Sequence, residues 1–254
     1  MMKRGIILTL VSAASICACL AFGNKNKLVS ASSKGFAVVE LFSSEGCSSC
    51  PPAEAVMHKL IQKASAESLL VYVIEFHVDY WDYLGWKDTF AIPEYSQRQQ
   101  DYGGFFKVNS IYTPQAVING KTEMIGSDED KINAAIATEL QSSSSVNIEC
   151  KTNKTGNSKI EIEYNVSGNI SGCTLNFAIV ESNLTTYIKK GENAHKTLTH
   201  DNVARVFKSI KLNSSSGKIE MDVSHINLSD SKLICFVQEA ESLNITGAEQ
   251  YNLQ

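Results

Sequence analysis

The first half of the chain alternates continuous apolar runs of strand length with one helical repeat. The runs "FAVVELF" (36–42) and "LLVYVIEF" (69–76) are almost uninterrupted, as in strands that are buried on both faces of a sheet. Between them, residues 53–68 repeat their apolar positions at helical spacing, and Pro52 suits the first turn of that helix. This order predicts a βαβ unit with a parallel strand pair.

Residues 77–106 form an aromatic-rich stretch for which no regular element is predicted. After it, Pro114 precedes a short predicted strand, "AVI", and Asn119-Gly120 is a strong hairpin-turn signal. A further strand fits "KTEMIG". The segment "SDEDKINAAIATELQ" has the apolar stripe of a helix, with Ser127 as the predicted cap.

Beyond the serine-rich break at 142–145 the pattern changes to period two. Five short alternating segments, separated by Asn, Gly and Ser turns, predict an all-β, sandwich-like domain over 146–254. Residues 191–207 interrupt this pattern as a long, non-alternating insertion. The sequence thus predicts an α/β domain at 35–142 followed by a separate β domain.

Composition is globular, and the charge excludes one class of partner. The 254 residues are 43% hydrophobic and carry a formal net charge of −4. Residues 34–142 hold 8 Lys and Arg against 15 Asp and Glu. An acidic first half does not match a phosphate backbone, so no nucleic acid is predicted as a partner.

The N-terminus is predicted to be a targeting segment rather than part of the fold. A basic start and a short apolar run over 1–23 are typical of a secretory signal peptide, followed by a polar linker at 24–34. Within it, "ICAC" (16–19) is a candidate lipobox in which Cys19 would be lipidated; the alternative is ordinary cleavage after Gly23. We expect an exported protein, periplasmic or an outer-membrane or cell-surface lipoprotein, with membrane contact only through that anchor.

The motif "EGCSSCPP" places Cys47 and Cys50 between the first strand and the helix. A structural zinc site needs four ligands, but Cys150, Cys173 and Cys235 stand singly and the five histidines lack metal spacing, so no metal is predicted. As an inert bridge, so short a loop stabilises a fold little. At a helix entry the helix dipole stabilises a thiolate, which favours a redox role. The two prolines that end this motif predict a delayed helix start.

Four blocks of the chain carry a family resemblance: "VELFSSEGCSSCPPAE", "FHVDYWDYLGWKD", "YTPQAVING" and "GENAHKTLTHDNVAR". They resemble a family of secreted bacterial thioredoxin-like proteins known only as a domain of unknown function. The resemblance implies a thioredoxin-like fold over 35–142 and a redox-active Cys47–Cys50 disulfide, with Cys47 as attacker and Cys50 as resolving thiol. It also implies a cis-proline at Pro114, with Thr113 facing the sulfurs. The expected activity is thiol–disulfide exchange with a redox partner or substrate protein, without a cofactor.

Two further residues are candidates for catalysis. Glu40 lies inside the first apolar strand, where it either shuttles a proton to the resolving thiol or is an edge or strand-end carboxylate that reaches solvent. His77 ends the second strand at the sheet edge where α/β sites lie, and it either lowers the pKa of Cys47 or hydrogen-bonds a loop.

The aromatic stretch offers a different function. The candidate substrate-binding residues are Asp79, Trp81 and Trp86, because aromatic side chains often anchor a ligand. The acids of 79–88 would also suit a hard cation such as calcium. The simplest alternative is a packed loop in which these acids act as caps. The chain would then be a thioredoxin-fold binding module with a structural disulfide and an aromatic, acidic ligand groove. The part of the last family block that begins at His200 either faces the same edge of the sheet or forms a structural loop network.

Overall fold

The predicted βαβ unit lies at the centre of one large sheet. In the computed structural model, the chain is described at Met1, 34–156 and 158–253. The predicted signal peptide and lipobox, Cys19 and nearly all of the linker lie outside the described residues. The first strand and the second pair in parallel from Ala37 with Val71 onward, as predicted.

The elements are as follows. The helices are α1 (Pro51–Glu67), α2 (Pro93–Phe106) and α3 (Glu129–Leu140), with short 3-10 turns at Asp79–Leu84 and Leu228–Asp230. The strands are β1 (Ala37–Ser43), β2 (Val71–His77), β3 (Gln115–Ile118), β4 (Thr122–Ile125), β5 (Val146–Thr155), β6 (Lys159–Gly168), β7 (Cys173–Glu181), β8 (Leu184–Tyr187), β9 (Thr197–His200), β10 (Val203–Lys211), β11 (Ser216–Asp222), β12 (Ser231–Glu239) and β13 (Ile245–Asn252).

Most of the local predictions are confirmed, with three differences. Asn119 and Gly120 form the predicted turn between β3 and β4, both at positive φ. The cap of α3 is Asp128, whose side chain accepts from the Lys131 N–H, rather than Ser127. Helix α1 begins at Pro51, so the prolines do not delay it. Helix α2 was not predicted, because its buried stripe uses Gln99 and tyrosines instead of aliphatic residues.

The strands of the second half continue the sheet of the first half. The eight-stranded sheet has the order β13-β12-β7-β10-β2-β1-β3-β4. Strand β10 pairs in parallel with β2, at Val203 and Glu75, and antiparallel with β7. It thereby covers an edge of β2 that would otherwise present unpaired N–H and C=O groups. The predicted boundary at 142–146 falls between α3 and β5, but the two halves share one mixed sheet, and the described residues from 34 onward cluster as one compact unit.

The second half forms a layer of its own over part of that sheet. The three-stranded antiparallel sheet β11-β6-β5 packs on β7 and β12. Their core includes Ile162, Phe177 and Cys235. The alternating pattern therefore correctly indicated paired layers of strands, while one of those layers belongs to the large sheet.

The central sheet is buried on both faces. One face packs on α1 and α3 through Val39, Leu41 and Met57. The other includes Phe42, Phe76 and α2. None of the helices in the described part of the chain combines the length and the apolar character that a bilayer span needs. At one edge, the ends of β1 and β2, the start of α1 and the β9–β10 turn lie together.

Candidate functional site

The two motif cysteines form a disulfide at the start of α1. The Cys47–Cys50 bond has a χ3 of 87°. Cys50 is the residue before the helix, with φ −78° and ψ −39°, and its carbonyl accepts from the N–H groups of Ala53 and Glu54. The sulfurs thus lie at the positive end of the helix dipole, where a thiolate is stabilised.

The loop containing Pro114 lies beside the disulfide. The Thr113–Pro114 peptide bond is cis, as the family resemblance implied. The Ser49 hydroxyl donates to the Thr113 carbonyl at 3.4 Å and lies 3.3 Å from the Cys47 sulfur. The Trp81 indole N–H donates to the Thr113 hydroxyl at 2.8 Å. The structure therefore places Thr113 and Pro114 against the motif.

A segment from the second half of the chain covers the motif, and we call residues 191–196 the cover loop. The Asn193 amide donates to the carbonyls of Glu45 and Cys47, both at 2.9 Å. The Ser48 N–H donates to Glu192 at 3.0 Å. Both sulfur-bearing residues are 0% exposed, whereas Ser48 is exposed. Solvent reaches the serines of the motif but not the disulfide.

Glu40 lies on the opposite face of the sheet from α1. One carboxylate oxygen accepts from Arg98 Nε and the other from the Tyr102 hydroxyl, each at 2.5 Å. Attraction to Glu40 raises the pKa of Arg98, although burial alone would lower it. The alternative of an edge or strand-end carboxylate that reaches solvent is wrong, because Glu40 is fully buried in the middle of β1, between β2 and β3. Its proton-shuttle role stays a prediction.

His77 is fully buried at the end of β2. Its Nδ1 lies 2.7 Å from Asp88 Oδ2, which also accepts the Glu45 N–H at 2.8 Å. His77 is therefore linked to the motif through Asp88 and the backbone that leads into Cys47. The loop bond that sequence reasoning offered as an alternative is present, and a redox role for His77 stays a prediction.

His200 lies next to His77, so the block beginning there does face the predicted edge. The two rings are 5.1 Å apart between centroids. His200 Nδ1 lies 3.0 Å from Glu54 Oε2, and its Nε2 lies 3.4 Å from Glu45 Oε1. Burial alone would lower the pKa of His200, but the carboxylates of Glu45 and Glu54 raise it to about 10.

Two glutamates complete what we call the His–Glu cluster: Glu54, Glu75, His77 and His200. The Ser43 hydroxyl donates to Glu54 at 2.5 Å. Glu75 is 1% exposed, and its Oε2 has no hydrogen-bond partner. Burial, and then the charge of Glu54, raise the pKa of Glu75 well above its usual range. Sequence reasoning missed this cluster; the available signal was Glu75 and His77, two residues apart on one face of a strand.

The candidate ligand-binding residues are half-buried and bonded within the protein. Asp79 accepts from the Ser96 hydroxyl at 2.5 Å, and the Trp86 indole donates to Glu45 at 2.8 Å. These contacts match the packed-loop alternative. The substrate-binding role of Asp79, Trp81 and Trp86 stays a prediction.

The acids of the same loop have separate partners. Asp82 accepts from the backbone N–H of Asp88, and Asp88 accepts from the Phe90 N–H. These are capping contacts within the loop, so they supply no joint arrangement for the hard cation that the sequence suggested.

The other cysteines lie in the second core. The Cys150 and Cys235 sulfurs are 3.6 Å apart as free thiols, and Cys173 is buried elsewhere in that core. Among the free cysteines, Cys150 and Cys235 are therefore the pair placed closely enough to approach one another.

The comparisons with known proteins agree with a mixed α/β fold and assign the chain to a family. The chain belongs to the family described as protein of unknown function (DUF1223), whose model matches residues 38–238. That span contains the disulfide, the cis-proline loop and the His–Glu cluster. Comparison with curated proteins found no match.

Two solved structures are similar to different extents. A crystal structure of an Agrobacterium tumefaciens protein, a structural-genomics target, shares 29% identity with a TM-score of 0.62, covering 84% of this chain and 92% of that chain. A domain of the outer membrane lipoprotein Omp28 from Porphyromonas gingivalis shares 10% identity with a TM-score of 0.30, covering 44% and 89%. The first supports the fold over most of the chain, and the second is too dissimilar to support an argument.

Proposed function

We propose that this chain is an exported, thioredoxin-like thiol–disulfide oxidoreductase whose redox centre is Cys47–Cys50. The observation that carries the proposal is the disulfide at the start of α1, with the cis Thr113–Pro114 loop against it. Its partner would be another protein that carries thiols or a disulfide. The predicted lipid anchor at Cys19 would place the reaction at a membrane surface outside the cytoplasm.

The exchange proceeds in two balanced steps. A partner thiolate attacks one sulfur of the Cys47–Cys50 bond, which forms a mixed disulfide and releases the other cysteine as a thiolate. A second partner thiolate then attacks the mixed disulfide. The partner leaves with its own disulfide, and two electrons remain on Cys47 and Cys50 as two thiols. In the reverse direction the reduced pair donates those electrons to a partner disulfide.

The cover loop controls access to this chemistry in our proposal. Both cysteines are 0% exposed, and Asn193 bonds the carbonyl of Cys47 directly. An attacking thiolate therefore needs the cover loop to move. Asn193→Ala removes two hydrogen bonds to the motif, and we expect it to speed reduction of the disulfide by a small thiol without changing the fold.

One observation favours a second candidate function. The complete burial of both sulfurs suits a structural disulfide that is never opened, in a module that binds a ligand rather than exchanging electrons. A disulfide of that kind has a reduction potential below about −300 mV, whereas exchange catalysts lie between about −270 and −120 mV. The two functions therefore predict different potentials for the same bond.

The deciding experiment is a redox equilibration of the purified protein in graded thiol–disulfide buffers. Alkylation and mass spectrometry report the state of Cys47 and Cys50, and the background variant Cys150→Ser removes the second sulfur pair from the signal. A potential between about −270 and −120 mV supports an exchanging centre. A potential below about −300 mV, unchanged by Asn193→Ala, would overturn it in favour of the structural disulfide.

A further inference from the structure

We propose that the His–Glu cluster is a binding site for one divalent transition-metal ion, with Glu54, Glu75, His77 and His200 as ligands. Each of these residues offers one ligand atom, and those atoms all lie within 4.8 Å of one another. All four residues are buried. The inference does not rest on the proposed redox function, because it uses no atom of the disulfide.

The cluster leaves buried polar atoms without partners. His77 Nε2 and Glu75 Oε2 are buried without a hydrogen bond, and His200 Nε2 has only its 3.4 Å ion-pair contact with Glu45 Oε1. Buried polar atoms are nearly always paired, because an unpaired one loses its hydration and gains nothing. A metal ion would satisfy His77 Nε2 and Glu75 Oε2 together.

The residues around the cluster determine which nitrogen of His77 is protonated and hold Glu54 in place. Asp88 faces His77 Nδ1 at 2.7 Å and also accepts the Glu45 N–H, so Nδ1 is the nitrogen that carries the proton. This leaves the lone pair of His77 Nε2 free for a metal. A carboxylate behind a ligating histidine is the usual support of such sites. On the other side, Ser43 holds one oxygen of Glu54.

The charge of the region calls for a cation. Glu45, Glu54, Glu75 and Asp88 are all buried at this edge of the sheet. In the part of the chain that the structure describes, the ion pairs of these carboxylates are with histidines, and none is with Lys or Arg. These four acids outnumber the two histidines that face them, and buried carboxylates without a full set of counter-charges destabilise a fold. A divalent ion would supply that charge.

A route to the cluster exists on the side of α1. A cavity of about 660 Å³ lies between α1 and the β8–β9 hairpin, and Glu54 and His200 line it. Solvent therefore reaches the side of the cluster formed by Glu54 and His200, behind which Glu75 and His77 are buried.

The donor types select the kind of ion. Imidazole nitrogens suit zinc, iron, nickel and copper, whereas calcium and magnesium prefer all-oxygen sites. Two histidines with two carboxylates therefore point to a first-row divalent transition metal. Zinc is the ion that we would test first, with magnesium as the ion that should not compete.

The test uses the full mature protein with its disulfide intact. After chelator treatment and its removal, zinc is titrated against a chromophoric competitor, and melting is followed with zinc or magnesium. We expect one equivalent of zinc to bind. At a hundredfold excess over Kd, zinc should raise Tm by roughly 5 °C or more, and magnesium should not.

Matched variants identify the ligands. His77→Gln and His200→Gln should each lose zinc binding by at least tenfold, while His225→Gln, at an exposed histidine, should bind as the native chain does. Cobalt bound to the native protein should show visible d–d absorption without a thiolate charge-transfer band. Since melting of the native chain is itself a readout, a variant that fails to fold does not remove the test. Native protein that neither binds zinc nor gains stability overturns the proposal, as does zinc that both variants retain.

Discussion

Two buried charged clusters lie on opposite faces of the same central sheet, and they are completed in different ways. On the α2 face, both oxygens of Glu40 are bonded, one to Arg98 and one to Tyr102. The Gln238 amide donates to the Tyr102 hydroxyl, and its oxygen accepts from Arg98. Rings of Phe76 and other aromatic residues pack around the guanidinium. This cluster supplies its own cation and its own partners.

The His–Glu cluster on the α1 face has the same depth but lacks that completion. Two of its four residues, Glu75 and His77, carry a buried atom without a partner. Its positive charge comes only from its two histidines, and with Glu45 and Asp88 beside it four buried acids face them. The comparison teaches that burial of charge alone does not identify a site. A buried cluster that the chain completes stabilises the fold, and one left incomplete is suited to receive a ligand.

The largest effect should come from breaking the completed cluster. Arg98→Ala leaves Glu40 buried without its cation, and removing one partner of a buried pair destabilises by about 3–5 kcal/mol. Urea denaturation in the presence of chelator measures this change in the free energy of unfolding. The exposed pair of Lys159 with Glu220 provides the baseline, since Lys159→Ala should change stability by less than about 0.5 kcal/mol.

A double variant separates the charge from the packing. In Glu40→Gln with Arg98→Met the carboxylate is gone, so the loss should be smaller than in Arg98→Ala alone. A double variant as unstable as the single one would show that packing of the long side chain, rather than the ion pair, completes this cluster.

A second, smaller effect should appear in the zinc affinity of the His–Glu cluster. Asp88→Asn removes the charge behind His77 while keeping an oxygen for the Glu45 N–H. Loss of such a supporting carboxylate lowers metal affinity about 10–100-fold. Zinc competition measures it, with Asp79→Asn as the control in the same loop. Equal zinc affinities in the native protein, Asp88→Asn and Asp79→Asn would mean that Asp88 does not orient His77 toward an ion.

The two clusters also differ in how far the sequence predicts them. The strand–helix–strand order and the position of Cys47 and Cys50 follow from local periodicity, and the cis Thr113–Pro114 bond follows from the family resemblance. These features depend on residues that are near one another in the chain. Glu40 and His77 were recognised as unusual because they interrupt or end apolar strands, but their partners were not predicted.

The missing partners come from pairings that leave no local pattern. His200 reaches His77 because β10 pairs with the free edge of β2, and nothing in "NVARVFKSIK" specifies that edge. Arg98 reaches Glu40 through α2, whose weak apolar stripe concealed the helix. Separate α/β and β domains were predicted for the same reason, since periodicity shows that strands exist but does not show which sheet they join.

The smallest effect gives the sharpest test, because the same type of substitution, Glu to Gln, should change the free energy of unfolding with opposite signs in the two clusters. Glu75→Gln removes a buried carboxylate whose Oε2 has no partner, so without metal it should stabilise the protein by about 1 kcal/mol. Glu40→Gln should destabilise it, because Arg98 then loses its counter-charge. Both are measured by urea denaturation in chelator. Added zinc should stabilise the Glu40→Gln protein and have little effect on Glu75→Gln, and two variants that lose stability equally would contradict the distinction between the clusters.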